Sequence, residues 1–209
     1  MSTWKSWIRG CALALLVLPL VAASDAGAQN ILVNGDFETG DLTGWVVTGG
    51  NASAGVTIES PDNGPSLGGT NNAFMDNMGQ AVGLTMKQTT PVGSVTAGTI
   101  FYAFDLKLDQ ADVGGVLFVE IFAEQSGVGI VGTSGLMGPF WPWNAWELFQ
   151  GSFVAPAGTD FLTIQIMANT GAAEGTNCRA HVDNVYLSQQ GPPVSNEDSS
   201  WGTVKTLFR

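Results

Sequence analysis

The stretch "NGDFETGDLTGW", Asn34 to Trp45, gathers three carboxylates, Asp36, Glu38 and Asp41, and four turn-forming Asn or Gly residues around Phe37 and Trp45. So many oxygens in one short segment suit three uses: a metal site, a catalytic acid pair, or an irregular loop leading into a core. A hard cation such as calcium takes about six to eight oxygens, so its site needs two or three carboxylates plus carbonyls from irregular backbone. Asp36, Glu38 and the distant Asp183, beside a Gly-containing turn, can supply that set. The competing reading has Asp36 and Asp41 capping turns, with Glu38 in solvent. Phe37 and Trp45 are large apolar rings and are assigned to the core.

Catalysis has less to build on. A glycosidase needs two carboxyls about 5 to 10 Å apart across an open cleft, one with a raised pKa, whereas metal-bound carboxylates are tuned the opposite way. His181 is the only histidine, and G-x-S-x-G, a Cys/His dyad spacing and a zinc signature are all missing from the sequence. His181 is therefore read as a strand residue near the metal, and the protein as no enzyme. Binding has more support. Sugars are held by aromatic rings, with planar polar groups bonding the hydroxyls. "GPFWPWNAWELFQ" concentrates Phe140, Trp141, Trp143 and Trp146, and its two prolines are expected to hold Trp141 and Trp143 in an extended loop. A second candidate surface has Phe118 and Phe122 flanking Glu120, with Gln165 nearby. Packing of these rings under loops or between sheets is the competing reading for both.

The elements that would position these residues are strands. "FYAFDLKL" alternates, with Tyr102, Phe104, Leu106 and Leu108 on one face and Phe101, Ala103, Asp105 and Lys107 on the other. "VLFVEIFAEQ" points Leu117, Val119, Ile121 and Ala123 inward, and "FLTIQIMA" does the same with Leu162, Ile164, Ile166 and Ala168. Gly-, Pro- and Asn-rich turns separate these runs, which reads as an all-β sandwich. The closing strand breaks parity. Val182 belongs to one face and Val185 and Leu187 to the other, so an irregularity is expected at Asp183-Asn184, aiming the carboxylate and nearby carbonyls at one point.

Residues 1–28 read as a signal peptide: Lys5 and Arg9, an apolar run too short to span a bilayer and broken by Pro19, then a small-x-small cleavage site after Ala28. The expectation is an exported protein, secreted or held at the cell surface, with no membrane insertion after cleavage. Without the leader, five Lys or Arg face seventeen Asp or Glu, a net charge of −12. Phosphate binding needs clustered cations, so nucleic acid and anionic lipid are poor partners. The remaining chain of about 180 residues fits one domain with a real core. Cys178 is the one cysteine left, which excludes an internal disulfide and favours a buried, inert thiol.

In chain order, "NILVNGDFETGDLTGW", "AGTIFYAFDLKL", "WELFQGSFVAPAGTDFLTIQIMA" and "AHVDNVYLS" resemble the jelly-roll carbohydrate-binding modules of the family 4, 9 and 22 type, galactose-binding-like sandwiches of secreted bacterial proteins. The resemblance covers roughly residues 30–188, within a domain read as 29–188. It implies a jelly roll of two antiparallel sheets and a structural calcium held by the opening segment and the last strand. Carried over, Glu38 and Asp183 would be side-chain ligands, with carbonyls near Asn34 to Asp36 completing the shell. It also implies a glycan cleft on the concave face of one sheet, and makes Trp146 a packed, strand-opening Trp. Such modules usually serve a linked catalytic domain, and none is seen in this sequence. Residues 189–198 read as a polar linker. Residues 199–209 place Trp201, Val204, Leu207 and Phe208 at helical spacing behind possible Ser caps, as a sorting or docking element or a plain end. The expected function is non-catalytic glycan binding on a calcium-stabilised sandwich. The alternative is a structural or adhesive surface protein that uses the same sandwich without sugar.

Overall fold

The computed structural model describes residues 28–50, 54–79, 82–112 and 114–191. The expected export leader, the distal part of the linker and the terminal amphipathic segment lie outside these residues. Among the described residues eleven strands follow one another: β1 (Val46–Gly49), β2 (Gly55–Glu59), β3 (Asn72–Met78), β4 (Gly83–Thr89), β5 (Gly98–Gln110), β6 (Val116–Gln125), β7 (Gly129–Thr133), β8 (Met137–Phe140), β9 (Glu147–Ala155), β10 (Phe161–Asn169) and β11 (Asn177–Ser188). The first sheet runs β1-β4-β10-β6-β7, with β8 also on β6, and the second runs β2-β3-β11-β5-β9. Every strand pair is antiparallel. No helix occurs among the described residues, as the period-2 patterning required.

The core lies between the sheets. In β6, Leu117, Val119, Ile121 and Ala123 are fully buried, and in β10 Leu162, Ile164, Ile166 and Ala168 are too, as their alternation demands. Phe37 and Trp45 join this core, with ring centroids 5.5 Å apart. The Trp45 indole donates its N–H to the Asn34 carbonyl at 3.0 Å, so the opening loop is pinned to the core at its most apolar point. Cys178 is buried, and burial pushes its thiol pKa up to about 12. At physiological pH the nucleophilic thiolate is therefore essentially unpopulated.

The parity break in β11 is real. Register against β5 shifts between Asp183 and Tyr186, and Asn184 takes a left-handed φ of 49°. The extra residue lets Val182, Val185 and Leu187 all enter the core. The opening segment runs alongside this bulge. Ile31 N–H donates to Leu187 O at 2.9 Å, Val185 N–H donates to Gly35 O at 2.8 Å, and Asn30 donates its amide to Val185 O at 2.8 Å. A Cβ on Gly35 would lie 2.1 Å from the Val185 carbonyl, so only glycine permits this approach.

Candidate functional site

Two carboxylates stand side by side on the face of the second sheet that points away from the core, and a third, Glu38, is tied to the loop that covers them. Asp183 stands opposite Asp105 in the β11–β5 register, and both are fully buried beneath the loop after β2. Gly64 N–H donates to Asp183 Oδ2 at 2.7 Å, and Ser66 donates its N–H and hydroxyl to Asp105 Oδ2 at 2.9 and 2.7 Å. Glu38 reaches the same loop from the opening segment, where its Oε1 accepts the N–H groups of Thr70 and Asn71 at 2.7 and 2.8 Å. Those backbone donors hold the Glu38 pKa below its usual value. Asp183 is shifted the other way, up to about 8. Burial is the largest cause, the Gly64 and Asn184 N–H groups oppose it, and the charges of Asp105 and Glu38 add to the rise.

Two oxygens in this group have no partner: Asp105 Oδ1 and Asn184 Oδ1, both buried. The ion pairs of Lys107 and Arg179 go to Asp62, Asp109 and Asp76, not to these acids. Buried oxygens left without a partner are costly, and a cation bound beside them would satisfy both. Among the described residues no three His, Cys, Asp or Glu side chains are already disposed to hold a metal. A cation here would draw on the Asn184 amide oxygen and on loop carbonyls as well.

Of the residues expected at a metal, Glu38 and Asp183 are both bonded to the loop after β2. The side chains of Asn34 and Asp36 make bonds within the opening loop. The Asn34 side chain accepts the Thr39 N–H at 3.3 Å and donates to Asp41 O at 2.9 Å, while Asp36, exposed, accepts the Glu38 N–H at 3.4 Å. Asp41 accepts the Thr43 N–H and Thr39 hydroxyl at 2.9 and 2.8 Å, which holds its pKa down. Turn capping by Asp36 and Asp41 is therefore present, but Glu38 is not simply solvated. Asp105 and Asn184 were missed by sequence reading. Asp105 read as an outward-facing strand residue, and nothing in the strand pattern shows that a loop will cover it.

The outward face of the first sheet is built differently. Gln165 stands opposite Glu120 on β6 and opposite Lys87 on β4, so an ammonium, an amide and a carboxylate form one row across three strands. On β6, Phe118 and Phe122 flank Glu120 on the same side, and all three are half-buried. The rows next to this one pair Phe122 with Thr163 and Phe118 with Met167.

Trp141 and Trp143 lie in the connection from β8 in one sheet to β9 in the other, with 60 % and 53 % of their surface exposed. The loop is not extended. Trp143 N–H donates to Trp141 O at 2.9 Å around Pro142, a three-residue turn that the fixed proline φ favours, and Leu108 N–H holds Pro142 O at 2.8 Å. Replacing both tryptophans by Ala should leave the melting temperature within about 2 °C of wild type, since half-exposed rings contribute little to core burial. A loss of several degrees in a thermal melt would make them packing residues. Trp146 is held outside the core. Its indole donates to Asp62 Oδ1 at 2.9 Å, and its ring lies 5.4 Å from Lys107 Nζ and 6.0 Å from the His181 ring.

His181 has partners on both nitrogens: Nδ1 meets Asn72 Oδ1 at 2.7 Å and Nε2 meets Asp109 Oδ2 at 2.8 Å. Asn72 donates its amide to Asp62 O at 2.6 Å, which fixes which of its atoms faces the ring. The histidine is 4 % exposed and fully bonded, an arrangement that knits β3, β5 and β11 together.

A scan against protein-family models finds no match, and neither does a comparison with curated proteins. Solved structures do match. A xylan-binding family 22 domain from Paenibacillus barcinonensis superposes with a TM-score of 0.52 at 13 % identity, over 78 % of this chain and 95 % of that one. A family 61 module solved with β-1,4-galactotriose gives 0.51 at 14 % identity, over 77 % and 98 %. The active domain of a tailspike from bacteriophage CBA120 gives 0.60 at 14 % identity over 76 % of this chain, which spans only 21 % of that domain. At such identities the likeness concerns the fold. This chain has the two-sheet antiparallel β-sandwich of carbohydrate-binding modules.

Proposed function

We propose that this protein is an exported, non-catalytic glycan-binding module whose ligand lies across the outward face of the first sheet. The row of Lys87, Gln165 and Glu120 between Phe118 and Phe122 carries this reading. Phenyl faces can stack on sugar C–H surfaces, while the ammonium and amide donate to hydroxyl oxygens and the carboxylate accepts hydroxyl protons. Trp141 and Trp143, exposed in the connection between the two sheets, offer further rings for a sugar. The solved xylan-binding and galactotriose-bound modules of the same fold make xylan and β-1,4-galactan the first ligands to try.

Calcium belongs to the same proposal as a structural ion. Glu38, Asp183, Asp105 and the Asn184 amide oxygen would hold it, and when bound it would supply the positive charge that this buried acid group lacks. The chain's own part is to bring the opening segment, the loop after β2 and the β11 bulge to one place.

Native gels containing xylan, β-1,4-galactan, β-glucan, cellulose derivatives or alginate test the binding. The protein should be retarded by at least one neutral polysaccharide and release neither reducing ends nor unsaturated products from it. Unretarded migration in every gel would leave the structural or adhesive reading. Turnover lost on Glu120→Gln or His181→Ala would make the protein an enzyme.

A further inference from the structure

The second sheet carries a cleft on its own outward face, across the sandwich from the row just described. It has a volume of about 520 Å³ and is lined by Ala54, Gly55, Thr57, Glu59, Phe74, Asp76 and Arg179. That size lies within the range of about 300–1,000 Å³ common to small-molecule sites. Strand register explains the lining. Gly55 stands opposite Asp76 and Asp76 opposite Arg179, while Thr57 stands opposite Phe74. Their neighbours along each strand, Val56, Ile58, Ala73, Met75 and Ala180, point into the core or pack against it.

The chemistry of the cleft is specific. Arg179 grips Asp76 with Nε and Nη2 at 3.1 and 3.3 Å, and its guanidinium carbon lies 5.2 Å from the Phe74 ring centre. The guanidinium thus covers the ring and is itself held in place. Two of its five N–H donors are used, which leaves a fixed, planar set of donors for a ligand. Glu59 supplies acceptors: its carboxylate is 46 % exposed and lies 3.9 Å from His181 Nδ1. Thr57 adds a hydroxyl. With two carboxylates against one guanidinium that is already paired with Asp76, the lining carries a net negative charge and an anionic ligand is repelled. Groups that both donate and accept, side by side and uncharged, complement such a lining, and adjacent sugar hydroxyls are that chemistry.

We infer that this cleft is a second saccharide site, taking a neutral sugar through adjacent hydroxyls. It goes beyond the first-sheet reading and shares with it only the class of ligand. Its floor is a guanidinium rather than a stacking ring, so it selects hydroxyl geometry over a flat sugar face and suits a chain end or a short branch. A protein with sites on opposite faces can bridge two polysaccharide chains or gain avidity on one surface.

Amide and Arg Nε–H NMR titrations with the methyl β-glycosides of xylose, galactose and glucose, and with galacturonate, test it. At least one neutral glycoside should shift the Gly55, Thr57 and Arg179 signals saturably, and galacturonate should not. Gly55→Trp fills the cleft without removing a bonding group, because a Cβ at Gly55 meets open space, and should abolish saturation. Arg179→Lys keeps the charge and loses the planar fork, and should weaken binding about tenfold or more. Phe122→Ala should leave these shifts unchanged, whereas failure of the first-sheet reading would show only at the Phe118 to Phe122 signals. No saturable shift around Gly55 with any neutral glycoside, a preference for galacturonate, or shifts that survive Gly55→Trp would overturn the inference.

Discussion

Replacing Phe118 and Phe122 together by Ala removes retardation of the protein in polysaccharide gels while the melting temperature changes little. Each ring is half-buried on the outward face rather than in the core, so truncation leaves the packing between the sheets intact. A ring at the centre of a binding surface contributes about 2 kcal/mol, so losing the pair weakens affinity by something on the order of a thousandfold. Glu120→Gln is milder: it keeps the shape and gives up the charged acceptor, at a cost of about 1–2 kcal/mol. Undiminished retardation of the double variant would move the ligand off this face.

Chelation should produce the largest change in stability. If calcium binds the folded state alone, a hundredfold excess over Kd adds about 2.7 kcal/mol, or roughly 5–10 °C in melting temperature for a domain of this size. The pH dependence sharpens the test. Without a cation, Asp183 holds its proton to about pH 8 when folded and releases it near 3.8 when unfolded. Between those values the folded state binds more protons, so the Asp183 contribution makes stability fall as pH rises from about 4 to 8 and then level off. With calcium bound, Asp183 is ionised and that decline disappears. Identical melts with calcium and with chelator would remove the ion from this account.

How much of this was legible in the sequence depends on where each interaction partner comes from. The inward sets of β6 and β10 were readable because a strand with one dry face must alternate. The bulge at Asp183-Asn184 was readable for the same reason, since Val182 and Val185 cannot share a face without an extra residue. The surroundings of Glu38 were not. Its partners are backbone N–H groups of Thr70 and Asn71, whose side chains signal only a turn. Asp105 was placed on the correct side of β5 but read as surface, because a loop that folds back over a strand leaves no periodic trace. Trp146, read as packed by resemblance, sits instead in a polar pocket with Asp62, Lys107 and His181. The row of Lys87, Gln165 and Glu120 needed the strand order β4-β10-β6, which local patterning does not contain.

The most direct test of glycan binding by the first sheet is an amide NMR titration of the folded protein with xylohexaose and with β-1,4-galactotriose. The account predicts saturable shifts concentrated on Lys87, Phe118 to Phe122 and Thr163 to Met167 for at least one of them. Saturation with neither sugar, or shifts that leave these strands untouched, would contradict it.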